Sequence, residues 1–120
     1  MDDRVKYKFY RIGKVSIMNK RIRKKQLKKI GKNVSSKDTW NLDLTIAEFV
    51  LPRLEMFKKV VDCYPCDLNT IEEWYDILDK IIESFRMICT YTSYKTFNEH
   101  KEIIDEGLDL FRKYYHDLWW

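Results

Sequence analysis

The stretch TIEEWYDILDKIIESFRMI, residues 70–88, has the spacing that decides the fold. Its large apolar side chains follow one another at steps of three and four residues: Ile71, Trp74, Leu78, Ile81, Phe85 and Ile88. On an α-helix such residues share one face, and a narrow seam of this kind suits antiparallel helix packing. Thr70 and Glu73 have the spacing of a capping box, in which each side chain accepts a hydrogen bond from the other residue's backbone N–H. The stretch therefore predicts a helix that begins after Thr70.

A second helix is predicted on the N-terminal side of this stretch, from Asn41 or Asp43 as its N-cap to about Val61. The apolar residues that are three or four apart, and so share one face, are Ile46, Phe49, Val50, Leu54, Phe57 and Val61. Pro52 lies inside this pattern, and a proline has no backbone N–H and clashes with the carbonyl four residues earlier. We therefore expect Pro52 to kink the helix or to divide it into two.

A final helix is predicted on the C-terminal side, after a loop-like segment from Thr90 to Asn98. Its apolar residues repeat at steps of four and three: Ile104, Leu108, Phe111, Tyr115 and Leu118. Gly107 lies inside this helix, where glycine costs about 1 kcal/mol relative to alanine. We expect Gly107 to mark a close crossing of two helices.

The composition agrees with a helical protein. The 120 residues make one domain of ordinary size. Apolar residues make up 45% of the chain, and only 3 Gly and 2 Pro are present, which excludes a disordered chain and a turn-rich β-sandwich or barrel. The sequence predicts an all-α fold, a compact three- to four-helix bundle with a basic N-terminal arm. The predicted parts are the arm at 1–32, a polar linker at 33–39 and the helical domain at 40–120.

The formal net charge of +4 is divided unevenly along the chain. Residues 1–32 contain 13 Lys and Arg against 2 Asp, a net charge of +11. Residues 33–120 contain 10 Lys and Arg against 17 Asp and Glu, a net charge of −7. An asymmetry of this kind indicates a basic arm joined to an acidic body, and basic arms contact nucleic acid, anionic membranes or acidic proteins.

The arm has a strand-like start, Val5 to Ile12, and then a predicted helix from Val15 to Ile30 with Gly31 just beyond its C-cap. The candidate binding residues in this helix are Lys20, Arg21, Arg23, Lys24, Lys25, Lys28 and Lys29. Clustered cations suit phosphate groups, so nucleic acid is one candidate partner and an acidic protein surface is another. Anionic lipid is a weaker candidate, since the helix has no Trp or Phe. Alternatively, the arm folds back onto the protein's own acidic body.

Cys63 and Cys66 have the CxxC spacing of thiol–disulfide oxidoreductases. In those enzymes the first Cys lies at a helix N-terminus within a strand–helix pattern, and no convincing strand flanks this pair. The remaining candidates for a zinc site have no recognised spacing: Cys89, His100 and His116. An odd number of cysteines and an N-terminus unlike a signal peptide favour a reducing compartment. We predict no catalytic residue, no metal ligand and no cofactor.

Two sets of residues in the body are candidates for contact with a protein partner. Four acidic side chains repeat at helical spacing opposite the apolar seam: Glu72, Asp76, Asp79 and Glu83. Trp119 and Trp120 end the chain, where a frayed terminus would leave large apolar side chains exposed. We expect one of the two indoles to close the core against Trp40 and Phe49, and the other is left open as an anchor for a partner.

Several motifs between Trp40 and Trp120 occur as a set: WNLDLTIAEFVLPRL at 40–54, YPCDL at 64–68, EWYDILDK at 73–80, EGLDLF at 106–111 and Leu118-Trp119. As a set they resemble a family of small, uncharacterised bacteriophage-encoded proteins. Members of that family more often have Gly where Cys63 stands and a small polar residue at Cys66, which speaks against a redox role. Their N-terminal segments vary, so the resemblance does not cover the arm. It implies a phage origin and no catalytic activity.

These expectations lead to a hypothesis about function. The protein is predicted to be a non-enzymatic phage protein in the host bacterial cytoplasm that binds and modulates or inhibits a host or defence complex, for example a CRISPR nuclease. Its target is then a bacterial protein or nucleoprotein. The alternative is a nucleic-acid-binding phage protein that acts through its arm, and a third reading is a virion or replication component. No membrane span is expected, since the apolar runs fall far short of the ~20 residues required.

Overall fold

The computed structural model describes residues 20–91 and 93–120, and these residues form five α-helices and no β-strand. The helices are α1 Lys20–Gly31, α2 Leu42–Val60, α3 Ile71–Thr90, α4 Tyr94–Glu99 and α5 Lys101–Lys113, with 3-10 turns at Ser36–Thr39 and Tyr115–Asp117. The predicted all-α class is therefore confirmed. The strand predicted at Val5 to Ile12 lies outside the described residues.

The chain divides into two compact units between Trp40 and Asn41. The first unit contains α1, so the predicted arm helix is confirmed over residues 20–30, and its predicted start at 15–19 lies outside the described residues. Gly31 is the last residue of α1 rather than the residue beyond its C-cap, and its φ is not positive, so its expected capping role is wrong. Two i+3 hydrogen bonds close this end instead, from the N–H of Asn33 to Ile30 and from that of Val34 to Gly31.

Helix α3 lies at the centre of the second unit and packs against both α2 and α5. Trp74, Leu78 and Ile81 are fully buried, as the seam predicted. Ile82 and Ser84 are buried as well, so the inner face is broader than the predicted seam. The reason is that α3 contacts two neighbouring helices, and each covers a different part of its circumference.

The predicted N-cap of α3 forms with one difference. The Thr70 hydroxyl accepts a hydrogen bond from the Glu73 N–H at 3.2 Å, as expected. The Glu73 carboxylate accepts from the N–H of Asn69 at 2.9 Å, one residue before the one that a capping box uses. Both bonds satisfy backbone donors near the start of the helix.

The core consists of two clusters of buried side chains. The first contains Ala47, Leu54, Ile81, Ile82 and Phe85, and the second contains Val61, Trp74, Leu78 and Tyr114. Leu118 packs against both clusters and so joins them near the C-terminus. The Tyr114 hydroxyl lies 2.9 Å from Asp67, which fixes the segment between α2 and α3 to the end of α5.

Gly107 marks a close helix crossing, as the sequence predicted. The glycine is buried in α5, opposite Ser84 of α3. A Cβ at position 107 would overlap the Ser84 side chain and would lie 2.7 Å from the carbonyl oxygen of Lys80. A side chain here would therefore force atoms of α3 to shift, because backbone as well as side-chain atoms occupy the space.

Helix α2 runs without interruption through Pro52, so of the two expected effects the division into two helices does not occur. Proline lacks the N–H that would bond the carbonyl of Glu48. One residue later, the Arg53 guanidinium donates to the carbonyl of Phe49 at 2.9 Å. Packing of Leu54 and Ala47 against α3 holds the helix together on the other side, where both are buried.

The inner face of α2 also differs from the predicted face. Ala47, Leu54 and Val61 are buried, whereas Ile46 and Phe49 are 49% and 59% exposed. The predicted face is therefore confirmed at Leu54 and Val61 and wrong at Ile46 and Phe49. The helix is rotated so that Ala47 packs against α3, in one cluster with Ile81, Ile82 and Phe85.

Two further expectations in the C-terminal part need correction. Residues Tyr94–Glu99 form a short helix rather than a loop, because the Ser93 hydroxyl caps it by accepting from the Thr96 N–H. Leu108 and Tyr115 are 37% and 58% exposed and do not belong to the inner face of α5. Gly107 and Tyr114 take their places, one position earlier, because the close crossing at Gly107 sets the rotation of the helix.

Candidate interaction surfaces

Helix α1 presents a row of exposed cations. All 12 of its residues are exposed, and none is acidic. At 3.6 residues per turn, one half of its circumference carries Lys20, Arg21, Lys24, Lys25, Lys28 and Lys29. None of these six takes part in a salt bridge with a described residue. The helix thus brings six of the seven predicted binding residues onto one side.

The seventh cation, Arg23, lies on the other half of α1 among its three apolar residues. Ile22, Leu27 and Ile30 are exposed by 54%, 67% and 65%. The thin apolar stripe therefore exists, but it is not buried. The cationic half and the apolar half together make α1 an amphipathic helix with both faces accessible.

The second half of the predicted acidic row is compensated by cations. The Asp79 carboxylate lies 2.6 Å from the Lys58 ammonium. Glu83 lies 2.7 Å from the Arg86 guanidinium, which also reaches Glu55 of α2 at 3.1 Å. These hydrogen bonds, the one to Glu83 first, raise the pKa of Arg86. Both pairs line an open groove of about 700 Å³ between α2 and α3, whose charges are mixed rather than acidic.

The first half of the row is different. Glu72 and Asp76 are exposed, and no cation of the described residues lies within salt-bridge distance of either. The acidic candidate surface is thus reduced from four carboxylates to the two nearest the start of α3.

The two C-terminal tryptophans do not close the core in the predicted way. Trp40 and Phe49, the expected partners, are 87% and 59% exposed. Trp119 is half-buried, and its indole N–H donates to the carbonyl of His116 at 3.2 Å. Trp120 is 61% exposed, so it stays a candidate for contact with a partner. Leu118 packs against both core clusters at this end instead.

A second face of α2 was missed by the sequence reasoning. Five large apolar residues of this helix are exposed by 37–59%: Leu42, Ile46, Phe49, Met56 and Val60. Arg53 continues their spacing, and its guanidinium lies 3.6 Å from the centre of the Phe49 ring. The signal was present in the sequence, since these six positions follow steps of four, three, four, three and four. Beside them lies an apolar groove of about 280 Å³, with Phe111 and Leu118 on its other side.

The three cysteines are free thiols, and none has the setting of a redox site. Cys63 and Cys66 lie in the segment between α2 and α3, and α3 begins only at Ile71, so neither is at a helix N-terminus. Burial, together with the negative charge of Glu48, raises the pKa of the Cys89 thiol. The Cys89 thiol therefore stays protonated at neutral pH, which makes it a poor nucleophile.

The part of the chain that the structure describes contains no cluster of metal-ligating side chains. Within it, no three His, Cys, Asp or Glu side chains are placed to hold a metal ion. His100 lies between α4 and α5 as the residue that separates them. The ring of His116 packs edge-on against Tyr115, with 5.5 Å between the centroids.

Comparison of the chain with family models, with curated proteins and with solved structures gives no match. Among the described residues, no helix combines the length and the apolar character that a membrane crossing requires. The candidate surfaces are therefore interpreted from their own chemistry.

Proposed function

We propose that the protein is a non-enzymatic binding protein of phage origin that acts in the bacterial cytoplasm and binds nucleic acid through α1. The observation that carries this proposal is the row of six cations on one half of α1. The helix contains no acidic residue that could pair with these cations, and all of its residues are exposed, so the row suits an external polyanion.

Phosphate contacts of this kind have a measurable consequence. Each Lys or Arg that neutralises a phosphate releases condensed counterions, so affinity falls as the salt concentration rises. On duplex DNA, a plot of the logarithm of the binding constant against the logarithm of the salt concentration has a slope of about −0.9 per contact. Six contacts correspond to a slope of roughly −5. Between 50 and 200 mM salt the affinity should then fall about a thousandfold. Contacts to phosphate position a protein without reading bases, so we expect no sequence preference.

The test is a titration of the full-length protein into fluorescently labelled duplex DNA, followed by anisotropy at several salt concentrations. The variant Lys20→Gln, Lys24→Gln, Lys28→Gln removes one row of cations. We expect the salt slope to become less negative by about three, because three phosphate contacts are lost. The matched control, Lys59→Gln, Lys95→Gln, Arg112→Gln, removes the same charge from exposed positions of the second unit.

Equal losses in the variant and the control would contradict the proposal, because binding would then follow net charge alone. Absence of binding at low salt would also contradict it. Binding to vesicles of anionic lipid without binding to DNA would assign α1 to a membrane surface instead.

A second candidate function is binding to a bacterial host or defence protein through the body. It is favoured by Glu72 and Asp76, which are exposed and uncompensated at the start of α3. Such a charge would increase the rate of association with a basic, nucleic-acid-binding surface more than the final affinity.

This candidate is tested by affinity purification of the tagged protein from a bacterial lysate, with and without nuclease. We expect a partner that persists after nuclease treatment and is lost with Glu72→Gln, Asp76→Asn. The control Glu102→Gln, Asp109→Asn removes the same charge from exposed positions of α5. Recovery of no protein, or equal recovery with both variants, would contradict this function.

A further inference from the structure

We propose that α2 pairs two copies of this chain through its exposed apolar face, as antiparallel helices related by a two-fold axis near residue 51. The face consists of Leu42, Ile46, Phe49, Arg53, Met56 and Val60. Alternating steps of four and three residues are the spacing of a helix that packs along a partner helix. This inference is independent of nucleic-acid binding by α1, because it concerns a different unit of the chain.

The face is complementary to itself in one register. When two copies of α2 are placed antiparallel with residue 51 at the centre, each residue of the face lies opposite another residue of the same face. The pairs are Leu42 with Val60, Ile46 with Met56, and Phe49 with Arg53. A symmetric interface requires this reciprocity, since residue i contacts residue j and residue j contacts residue i.

The charges of α2 favour the same orientation. Its first half carries Asp43 and Glu48 and no cation, and its second half carries the cations Arg53 and Lys59, whereas Lys58 and Glu55 are paired with Asp79 and Arg86 of α3. An antiparallel pair therefore places the acidic half of each helix beside the basic half of the other. The two helix dipoles are opposed in this arrangement as well.

Arg53 is the one charged residue of the face, and its surroundings suit an interface. Its guanidinium already donates to the carbonyl of Phe49 and lies 3.6 Å from the Phe49 ring centre. In the pair it would also face the Phe49 ring of the second copy. Arginine stacks on aromatic rings and is more weakly hydrated than lysine, so it enters interfaces readily.

The size of the face predicts a weak dimer. A helix of 19 residues is about 28 Å long and about 10 Å wide, so its footprint is roughly 300 Å². Standard interfaces bury ~800 Å² per partner. The adjoining apolar groove, with Phe111 and Leu118 on its far side, extends the face. We therefore expect a dimer that dissociates on dilution.

The test is sedimentation velocity of the nuclease-treated full-length protein over a wide range of concentrations. We expect the wild type to form dimers as concentration rises and Ile46→Glu to remain monomeric over the same range. The control is Ile103→Glu, since Ile103 is 42% exposed and Ile46 is 49% exposed, and both lie near the start of a helix. Dimerisation of the control should match the wild type.

The register is tested by charge pairing at Ile46 and Met56. We expect Ile46→Lys alone and Met56→Glu alone to abolish the dimer. The double variant should restore it, because the lysine introduced at position 46 of each copy would then face the glutamate introduced at position 56 of the other. In a parallel pair the same double variant would place like charges opposite each other and would stay monomeric.

Three results would overturn the proposal. The first is a wild type that is monomeric at every concentration, which would leave the face for a helix of a different protein. The second is an equal effect of Ile46→Glu and Ile103→Glu. The third is a double variant that stays monomeric although both single variants are folded by circular dichroism.

Discussion

Helices α1 and α3 have the same backbone conformation but differ in length, in burial and in charge. Helix α1 has 12 residues and buries none of them, whereas α3 has 20 residues and buries six side chains. The difference follows from the number of apolar residues in line, because α3 has one at every turn and α1 has three in total. Helical spacing therefore does not by itself make a helix part of a core. In this protein α3 supplies stability, and α1 supplies charge.

The largest effect is expected from Trp74→Ala in α3. Trp74 is fully buried and packs edge-on against Phe57 and Tyr114, with ring centroids 6.4 Å and 5.4 Å apart. Removal of the indole should lower the free energy of unfolding by about 4 kcal/mol, measured by chemical denaturation. The matched change in α1, Ile22→Ala, should leave it nearly unchanged, because Ile22 is 54% exposed.

A conservative change at the same position sharpens this prediction. The Trp74 indole N–H has no hydrogen-bond acceptor among the described residues. Trp74→Phe should therefore cost clearly less than Trp74→Ala, since it removes packing area but no hydrogen bond. Equal costs for Ile22→Ala and Trp74→Ala would break the distinction between the two helices.

The next effect is expected from Gly107→Ala, with Gly31→Ala as its counterpart in α1. Alanine is the better helix former by about 1 kcal/mol. At Gly107 the added methyl group would overlap Ser84 and the Lys80 carbonyl, and overpacking of this kind costs about 2 kcal/mol. At Gly31 it would meet no atom within 4 Å. Thermal denaturation should therefore show destabilisation by the first change only; a Gly107→Ala protein as stable as the wild type would refute the close crossing.

A smaller effect is expected from Tyr114→Phe, and it depends on pH. The variant loses the hydrogen bond to Asp67, which should cost about 1 kcal/mol near neutral pH. Burial first, and then the bond to Asp67, raises the pKa of Tyr114 to about 12. The neutral hydroxyl is thus favoured in the folded protein. Its contribution to stability is complete below the ordinary tyrosine pKa of ~10 and is lost as pH rises through about 12.

The measurement for Tyr114 is the absorbance of tyrosinate during an alkaline titration. The wild type should show a tyrosine ionisation step at about pH 12, and Tyr114→Phe should lack it. Persistence of the late step in the variant would assign it to another tyrosine.

The smallest effect on stability is expected from the surface ion pair of Lys58 with Asp79. Both side chains are partly exposed, and exposed pairs contribute at most about 1 kcal/mol after solvent screening. A double-mutant cycle with Lys58→Ala and Asp79→Ala should give a coupling energy of that size. A coupling several times larger would show that the groove between α2 and α3 is more than a solvated surface.

The sequence predicted α3 well because its information is local. The seam from Ile71 to Ile88 has one apolar residue per turn, and the cap at Thr70 needs only its own neighbours in the chain. The same reasoning located α1 and the crossing at Gly107. It placed the start of α3 at the correct residue and the end of α2 within one residue of its observed position.

Helix α2 shows why the rest could not be predicted. Two apolar stripes overlap on it, one through Ala47 and Leu54 and the other through Ile46 and Phe49. Periodicity treats the two stripes alike, so the predicted face combined Leu54 and Val61, which are buried, with Ile46 and Phe49, which are exposed. The acidic row depends on tertiary contacts in a similar way, because Asp79 and Glu83 are compensated by Lys58 and Arg86, and the Asp79–Lys58 contact joins two helices.

By itself the sequence determined the all-α class, the central helix with its cap, the close crossing and the division of charge between arm and body. These features depend on residues that are neighbours along the chain. Only the tertiary structure decided which stripe of α2 faces α3 and which carboxylates remain uncompensated. The physical reason is that both depend on the direction from which another helix packs, and that direction is set by contacts between residues far apart in the sequence.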